Sequence, residues 1–129
     1  MKIILVDAVN TFVIEGEGIF DKMHDLLETF PNRKIILTNA NDEQAKGYGL
    51  DTVPYEVFSL KHNPDKTDPE YFKKMLEHFH FKKDNVIYFE HNNDAVKSAQ
   101  SIGITAYHYD SEKKDLESLK VFLKTSLQV

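Results

Sequence analysis

Five short runs rich in β-branched residues punctuate the chain: Lys2 to Asp7, Lys34 to Thr38, Glu56 to Leu60, Val86 to Glu90 and Ile104 to Tyr109. Within them, stretches such as IILV, IIL and VIYF are continuously apolar rather than alternating. A strand with one wet face alternates, whereas one covered by helices on both faces does not need to. The runs therefore predict a parallel sheet buried between two layers of helix.

The intervening segments supply those helices. From Gly18 to Phe30 the apolar residues Ile19, Phe20, Met23, Leu26, Leu27 and Phe30 follow helical spacing, and Pro31-Asn32 ends the segment. In DPEYFKKMLEHF, Asp68 is the predicted N-cap, Pro69 takes the first helical position, and Phe72, Met75, Leu76 and Phe79 share a face. In NNDAVKSAQSIG, Asn92 or Asn93 caps a helix with Val96, Ala99 and Ile102 inward and Gly103 at its end. Leu116, Leu119, Phe122 and Leu123 mark a last helix, and Asn41 to Tyr48 a shorter one cut off by Gly47 and Gly49. Strands alternating with helices define an α/β, doubly wound (Rossmann-like) five-stranded parallel sheet with helices on both faces. Its 129 residues, 41% of them hydrophobic, fit one domain over residues 1–129.

Composition narrows the partners. The net charge of −5 is spread along the chain, so no basic surface for nucleic acid is expected. The absence of cysteine excludes disulfides and thiolate chemistry and suits a reducing cytoplasm. MKIILVD has too short an apolar stretch for a leader or a membrane span, so a cytoplasmic chain away from membranes is expected. Oligomerisation is left open.

Ligands of such folds bind outside the C-terminal ends of the strands. The tips hold Asp7, Thr38-Asn39, Ser59 to His62, Glu90-His91 and Tyr109-Asp110, and the loop from Leu60 to Thr67 is the longest without structure of its own. A carboxylate at the end of a rigid strand, such as Asp7, can attack phosphorus or carbon in line. The hydroxyl of Thr38 and the amide of Asn39 can hold the oxygens of a transferring group, and an ammonium such as Lys66 offsets their charge. Each residue also has a structural role open to it: a turn for Asp7, backbone satisfaction for Thr38, a solvated loop for Lys66, and helix capping for Asn92 to Asp94. For His78 and His80, at a helix end, interaction with the helix dipole is favoured over a metal site.

Taken in order, ILVDAVNTF, IILTN, KTDPEYF and VIYFEHNNDAVKSAQSIGI resemble the four motifs of the haloacid dehalogenase superfamily of hydrolases, across residues 2 to 109. The resemblance implies that core fold without a cap domain, with Asp7, Thr38 and Lys66 as catalytic residues and Asn10, Thr11 and Asn39 as substrate-binding residues. It further implies Asp7, Glu90 and Asp94 around a weakly bound Mg²⁺, and a phosphorylated small molecule or macromolecule as substrate. A receiver domain has similar length and strand number, but its acid, hydroxyl and lysine come in a different order.

The chain departs from the family pattern at several positions. Val9 stands where the phosphatase branch has its general acid/base Asp, and loss of such a group costs about 10²- to 10⁴-fold. His91 stands where a metal-binding Asp is usual; Glu90 before it preserves one acid, and Asp94 falls one position short of the later acidic ligand, which aligns with Ala95. Imidazole is a poor ligand for a hard cation. Asn10 replaces a glycine, a milder change because Asn tolerates left-handed backbone. Three readings follow from these positions. The first is a phosphatase-type hydrolase with an aspartyl nucleophile that is slow or inactive. The second is a non-catalytic phospho-ligand or protein-binding member. The third is a metal-independent dehalogenase-type hydrolase, suggested by DAVNT and Asn92 but disfavoured without a cap to exclude water.

Overall fold

The computed structural model of the protein describes residues 1–129. Seven strands and five α-helices follow in the order β1 (Ile3–Asp7), β2 (Val13–Ile14), β3 (Gly18–Ile19), α1 (Asp21–Glu28), β4 (Lys34–Thr38), α2 (Asp42–Gly47), β5 (Glu56–Ser59), α3 (Pro69–Phe79), β6 (Val86–Glu90), α4 (Asn93–Ser101), β7 (Thr105–His108) and α5 (Leu116–Leu127). Five of the strands form one sheet in the order β5-β4-β1-β6-β7, and each neighbouring pair is parallel. This is the expected α/β architecture.

The pleat explains why the apolar runs are unbroken. Along β1, Ile4 and Val6 point into a layer with Met23 and Leu27 of α1 and Leu119 and Leu123 of α5. Leu5, between them, points the other way, into a layer with Tyr71, Phe72 and Met75 of α3 and Ala99 of α4. All three are fully buried, so the central strand needs an apolar side chain at every position. Its two neighbours, β4 and β6, lie on opposite sides, and the chain reverses its winding direction there. A crevice therefore opens above the end of β1.

Helix boundaries follow their caps. Asp68 accepts from the Glu70 amide with Pro69 in the first turn of α3, and Asn92 accepts from the Asp94 and Ala95 amides to start α4. At α2, Asn41 and Gln44 form a reciprocal capping box. The expected helix from Gly18 to Phe30 is shorter than its apolar spacing suggested. Gly18 and Ile19 instead pair as β3 with β2 in a hairpin, and the helix begins at Asp21. Gly16 and Gly18 both take positive φ, which closes the hairpin and stops the helix from extending backwards. No helix is long and apolar enough to cross a membrane.

Candidate active site

Four chain segments converge on the crevice. Asp7 ends β1, Thr38 ends β4, Glu90 ends β6, and Lys66 arrives from the loop between β5 and α3. Asp7, Lys66 and Glu90 are 2%, 6% and 0% exposed, a degree of burial that charged groups tolerate only when paired. Lys66 Nζ donates to Asp7 Oδ1 at 2.6 Å and to the Leu37 carbonyl at 3.2 Å, and it forms an ion pair with Glu90 Oε1 at 2.7 Å. One ammonium thus faces both carboxylates. The backbone amide of Lys66 donates to Asn39 Oδ1 at 2.7 Å, so the residue after Thr38 fixes the loop that delivers the lysine.

The second oxygen of Asp7 accepts from the Thr11 hydroxyl at 2.7 Å and from the His91 amide at 3.3 Å, and it also meets His91 Nδ1. Nδ1 of His91 lies 3.2 Å from Glu90 Oε2, which further accepts from the Asn92 amide, while Glu90 Oε1 accepts from the buried Tyr88 hydroxyl. Burial alone would raise the pKa of Asp7, but the Lys66 ammonium and the bond from His91 hold it well below the usual carboxylate range. Lys66 is disfavoured as a cation by burial yet driven above the ordinary lysine value by Asp7 and Glu90. The bonds from His91 to Asp7 and Glu90, opposed by partial burial, push its imidazole up to about 10. Burial and the Glu90 charge raise the Tyr88 phenol well above its ordinary value, so it remains a donor.

Above this network lies a cleft of about 190 Å³, floored by Asp7, Thr38, Lys66, Glu90 and His91 and walled by Val9, Asn39, Gln44, Tyr48 and His62. Sequence reasoning missed the contribution of His62, which bridges Asp65 Oδ1 at 2.8 Å and Gln44 Oε1 at 2.6 Å across the cleft mouth. Its place at the Ser59 to His62 tip and in the Leu60 to Thr67 loop hinted at a role without assigning one. It likewise missed Tyr88, which read as one more core aromatic of VIYF, and the donor function of His91.

Three expected site residues are placed elsewhere. Asn10 adopts φ of 67° in the turn after β1, as its tolerance of left-handed backbone allows, and lines a separate depression with Ile14, Ser111, Glu112 and Lys114. Thr11 is fully buried beneath Asp7 and reaches the cleft only through it. Asp94 is exposed in the first turn of α4, where Asn92 caps its amide, while the next residue, Ala95, lines the cleft.

Asp7, Glu90 and His91 do place ligand atoms within 4.8 Å of one another. The set does not suit Mg²⁺, which demands near-octahedral oxygen ligation. One of its three members is an imidazole, and all four carboxylate oxygens already accept hydrogen bonds or ion pairs from protein donors.

No protein-family model matches the sequence, and no curated protein matches it. Solved structures do. A haloacid dehalogenase-family enzyme of Bacteroides thetaiotaomicron, an Asp-to-Ala variant in complex with magnesium and inorganic phosphate, superposes with a TM-score of 0.62 over 84% of this chain and 93% of its own, at 14% identity. A candidate beta-phosphoglucomutase of Thermotoga maritima gives 0.57 over 84% and 85% at 12% identity. The core domain of a candidate phosphoglycolate phosphatase from Streptococcus pneumoniae gives 0.55 over 84% and 79% at 17% identity. The chain thus has the haloacid dehalogenase-like fold.

Proposed function

We propose that the cleft is a phosphoryl-transfer site of the phosphatase type, with Asp7 as nucleophile, and that its turnover is slow or absent because position 9 holds valine. The observation that carries this reading is the buried Asp7–Lys66 pair at the strand tips, beside Thr38 at the floor of an open cleft. In the reaction, an Asp7 oxygen forms a bond to phosphorus as the ester P–O bond breaks. The bonding pair leaves on the ester oxygen, which must take a proton, and water then hydrolyses the aspartyl phosphate to free Asp7 and phosphate. Lys66 keeps Asp7 ionised and offsets charge on the phosphoryl oxygens, while Thr38 and Asn39 provide polar groups for those oxygens. Val9 lines the cleft but has no proton to give the leaving oxygen.

The substrate class is a phosphorylated small molecule or macromolecule. Support comes from the fold, since the Bacteroides neighbour is a complex with inorganic phosphate. A second reading, a non-catalytic phospho-ligand binder, is favoured by one feature: both oxygens of Asp7 are engaged by protein donors, so attack first requires one to be released. Phosphate release from a panel of phosphomonoesters, measured for the native chain and Asp7→Asn, tests both. Slow release abolished by Asp7→Asn supports transfer. Binding of a phosphomonoester without release, weakened by Lys66→Gln, selects the second reading, and neither release nor binding rejects both.

A further inference from the structure

We infer that His91 takes the position of a divalent cation in this site, its Nδ1–H joining Asp7 to Glu90, so that the cleft handles its ligand without a metal. The nature of that ligand rests on the phosphoryl reading above. The identity of the group between the two acids does not.

A cation needs lone pairs directed at it, and here every carboxylate oxygen already meets a donor. Asp7 Oδ1 has Lys66, and Oδ2 has Thr11, the His91 amide and the His91 ring. Glu90 Oε1 has Tyr88 and Lys66, and Oε2 has the Asn92 amide and the His91 ring. No buried side-chain nitrogen or oxygen in the protein lacks a partner, so no orphaned acceptor marks a place for an ion.

Backbone contacts position His91. It follows the last residue of β6 and precedes the cap of α4, which fixes its Cα. Its amide points at Asp7, and its carbonyl accepts from His108 Nε2 of β7 at 2.9 Å. The ring is therefore delivered to the acids from a residue held on both sides. Asp94 is exposed on α4, so a hard ion would find two carboxylates, both already paired, and no third.

Mn²⁺, followed by electron paramagnetic resonance, is the probe. The native chain is expected to show no Mn²⁺ site that depends on Asp7. His91→Asp, which replaces a donor with a carboxylate, should bind Mn²⁺ at least about tenfold more tightly and lose that gain when Asp7→Asn is added. Native protein that binds Mn²⁺ as tightly as His91→Asp, and loses it in Asp7→Asn, overturns the inference. A second measurement needs no variant. The His91 ring Nδ1–H resonance of native protein should persist unchanged in excess Mg²⁺, and its loss or displacement by Mg²⁺ would also overturn the inference. Inorganic phosphate titrated with chelator and with Mg²⁺ separates the two levels. Equal binding in both supports the metal-free site, and binding only with Mg²⁺ overturns it. No binding in either defeats the phosphoryl reading, while the Mn²⁺ and resonance results still decide the role of His91.

Discussion

Lys66 and Asp7, 59 residues apart in the chain, meet at 2.6 Å with both side chains buried. The pair joins the loop after β5 to the tip of the central strand, and Glu90 shares the same ammonium at 2.7 Å. Two carboxylates thus depend on one lysine for their burial.

Removing that lysine should cost more than removing a surface ion pair. Lys66→Met leaves Asp7 and Glu90 short of a counter-charge in a buried place, and a loss of about 3–5 kcal/mol in unfolding free energy is expected. Urea denaturation measures it. In Lys66→Met with Asp7→Asn the loss should be less than the sum of the two single losses, and strict additivity would show that the pair is not coupled.

The pH dependence of stability should carry the signature of His91. Its folded pKa of about 10 lies above the ordinary 6.5, because of its bonds to Asp7 and Glu90. Its contribution is therefore complete below pH 6.5 and fades as pH rises toward about 10. The stability difference between native protein and His91→Gln should shrink over that window. Asp7 acts in the opposite direction. Its pKa is depressed below the ordinary 3.8, so its contribution is present above that pH and is lost on further acidification. A native-minus-variant difference that stays flat between pH 6.5 and 10 would contradict the assigned role of the His91 ring.

Val9→Asp places a carboxyl group on the cleft wall, just beyond Asp7 at the end of β1. If the missing proton donor limits turnover, phosphate release should rise by about 10²-fold or more, with a new loss of activity as pH rises and the added carboxyl group ionises. A stable, folded Val9→Asp no faster than native protein would place the limit elsewhere, in the engagement of both Asp7 oxygens.

Tyr88→Phe removes a buried hydroxyl from Glu90 while leaving the ring in the core beside Phe72. The expected cost is about 1.5–3 kcal/mol, the range for a hydrogen bond to a charged group, and it should appear in the denaturation midpoint with the slope unchanged. A cost near zero would mean that water replaces the hydroxyl at Glu90 Oε1.

The unbroken apolar runs made the sheet legible because burial on both faces leaves no other pattern for β1, β4 and β6. The strand tips then identified where Asp7, Thr38 and Glu90 would stand, and motif order added Lys66. Other features depended on information that adjacency does not carry. Ile19 and Phe20 continue a helical spacing, and only the positive φ at Gly16 and Gly18 turns that stretch into a hairpin. Asn10 and Asp94 are neighbours of site residues in sequence, but a tight turn and a helix cap point them away. The pairing of His62 with Gln44 spans 18 residues, and the residue type of His91 does not reveal which oxygens its ring will meet.

The anchoring of the loop after β5 also determines which side of the cleft can yield. Lys66 is tied by its amide to Asn39 and by its ammonium to β1, β4 and β6, and the next carbonyl, that of Thr67, accepts from Ser98 of α4 at 2.6 Å. Swinging this wall outward would drag a buried charge off its partners. The opposite rim is α2, a helix of six residues with none buried, held by its own capping box and by the exposed contacts of Gln44 with His62 and of Asp42 with Lys61. Backbone amides should therefore exchange with solvent slowly at Lys66 and quickly along Asp42–Gly47, making α2 the door of the cleft and the lysine loop its hinge post.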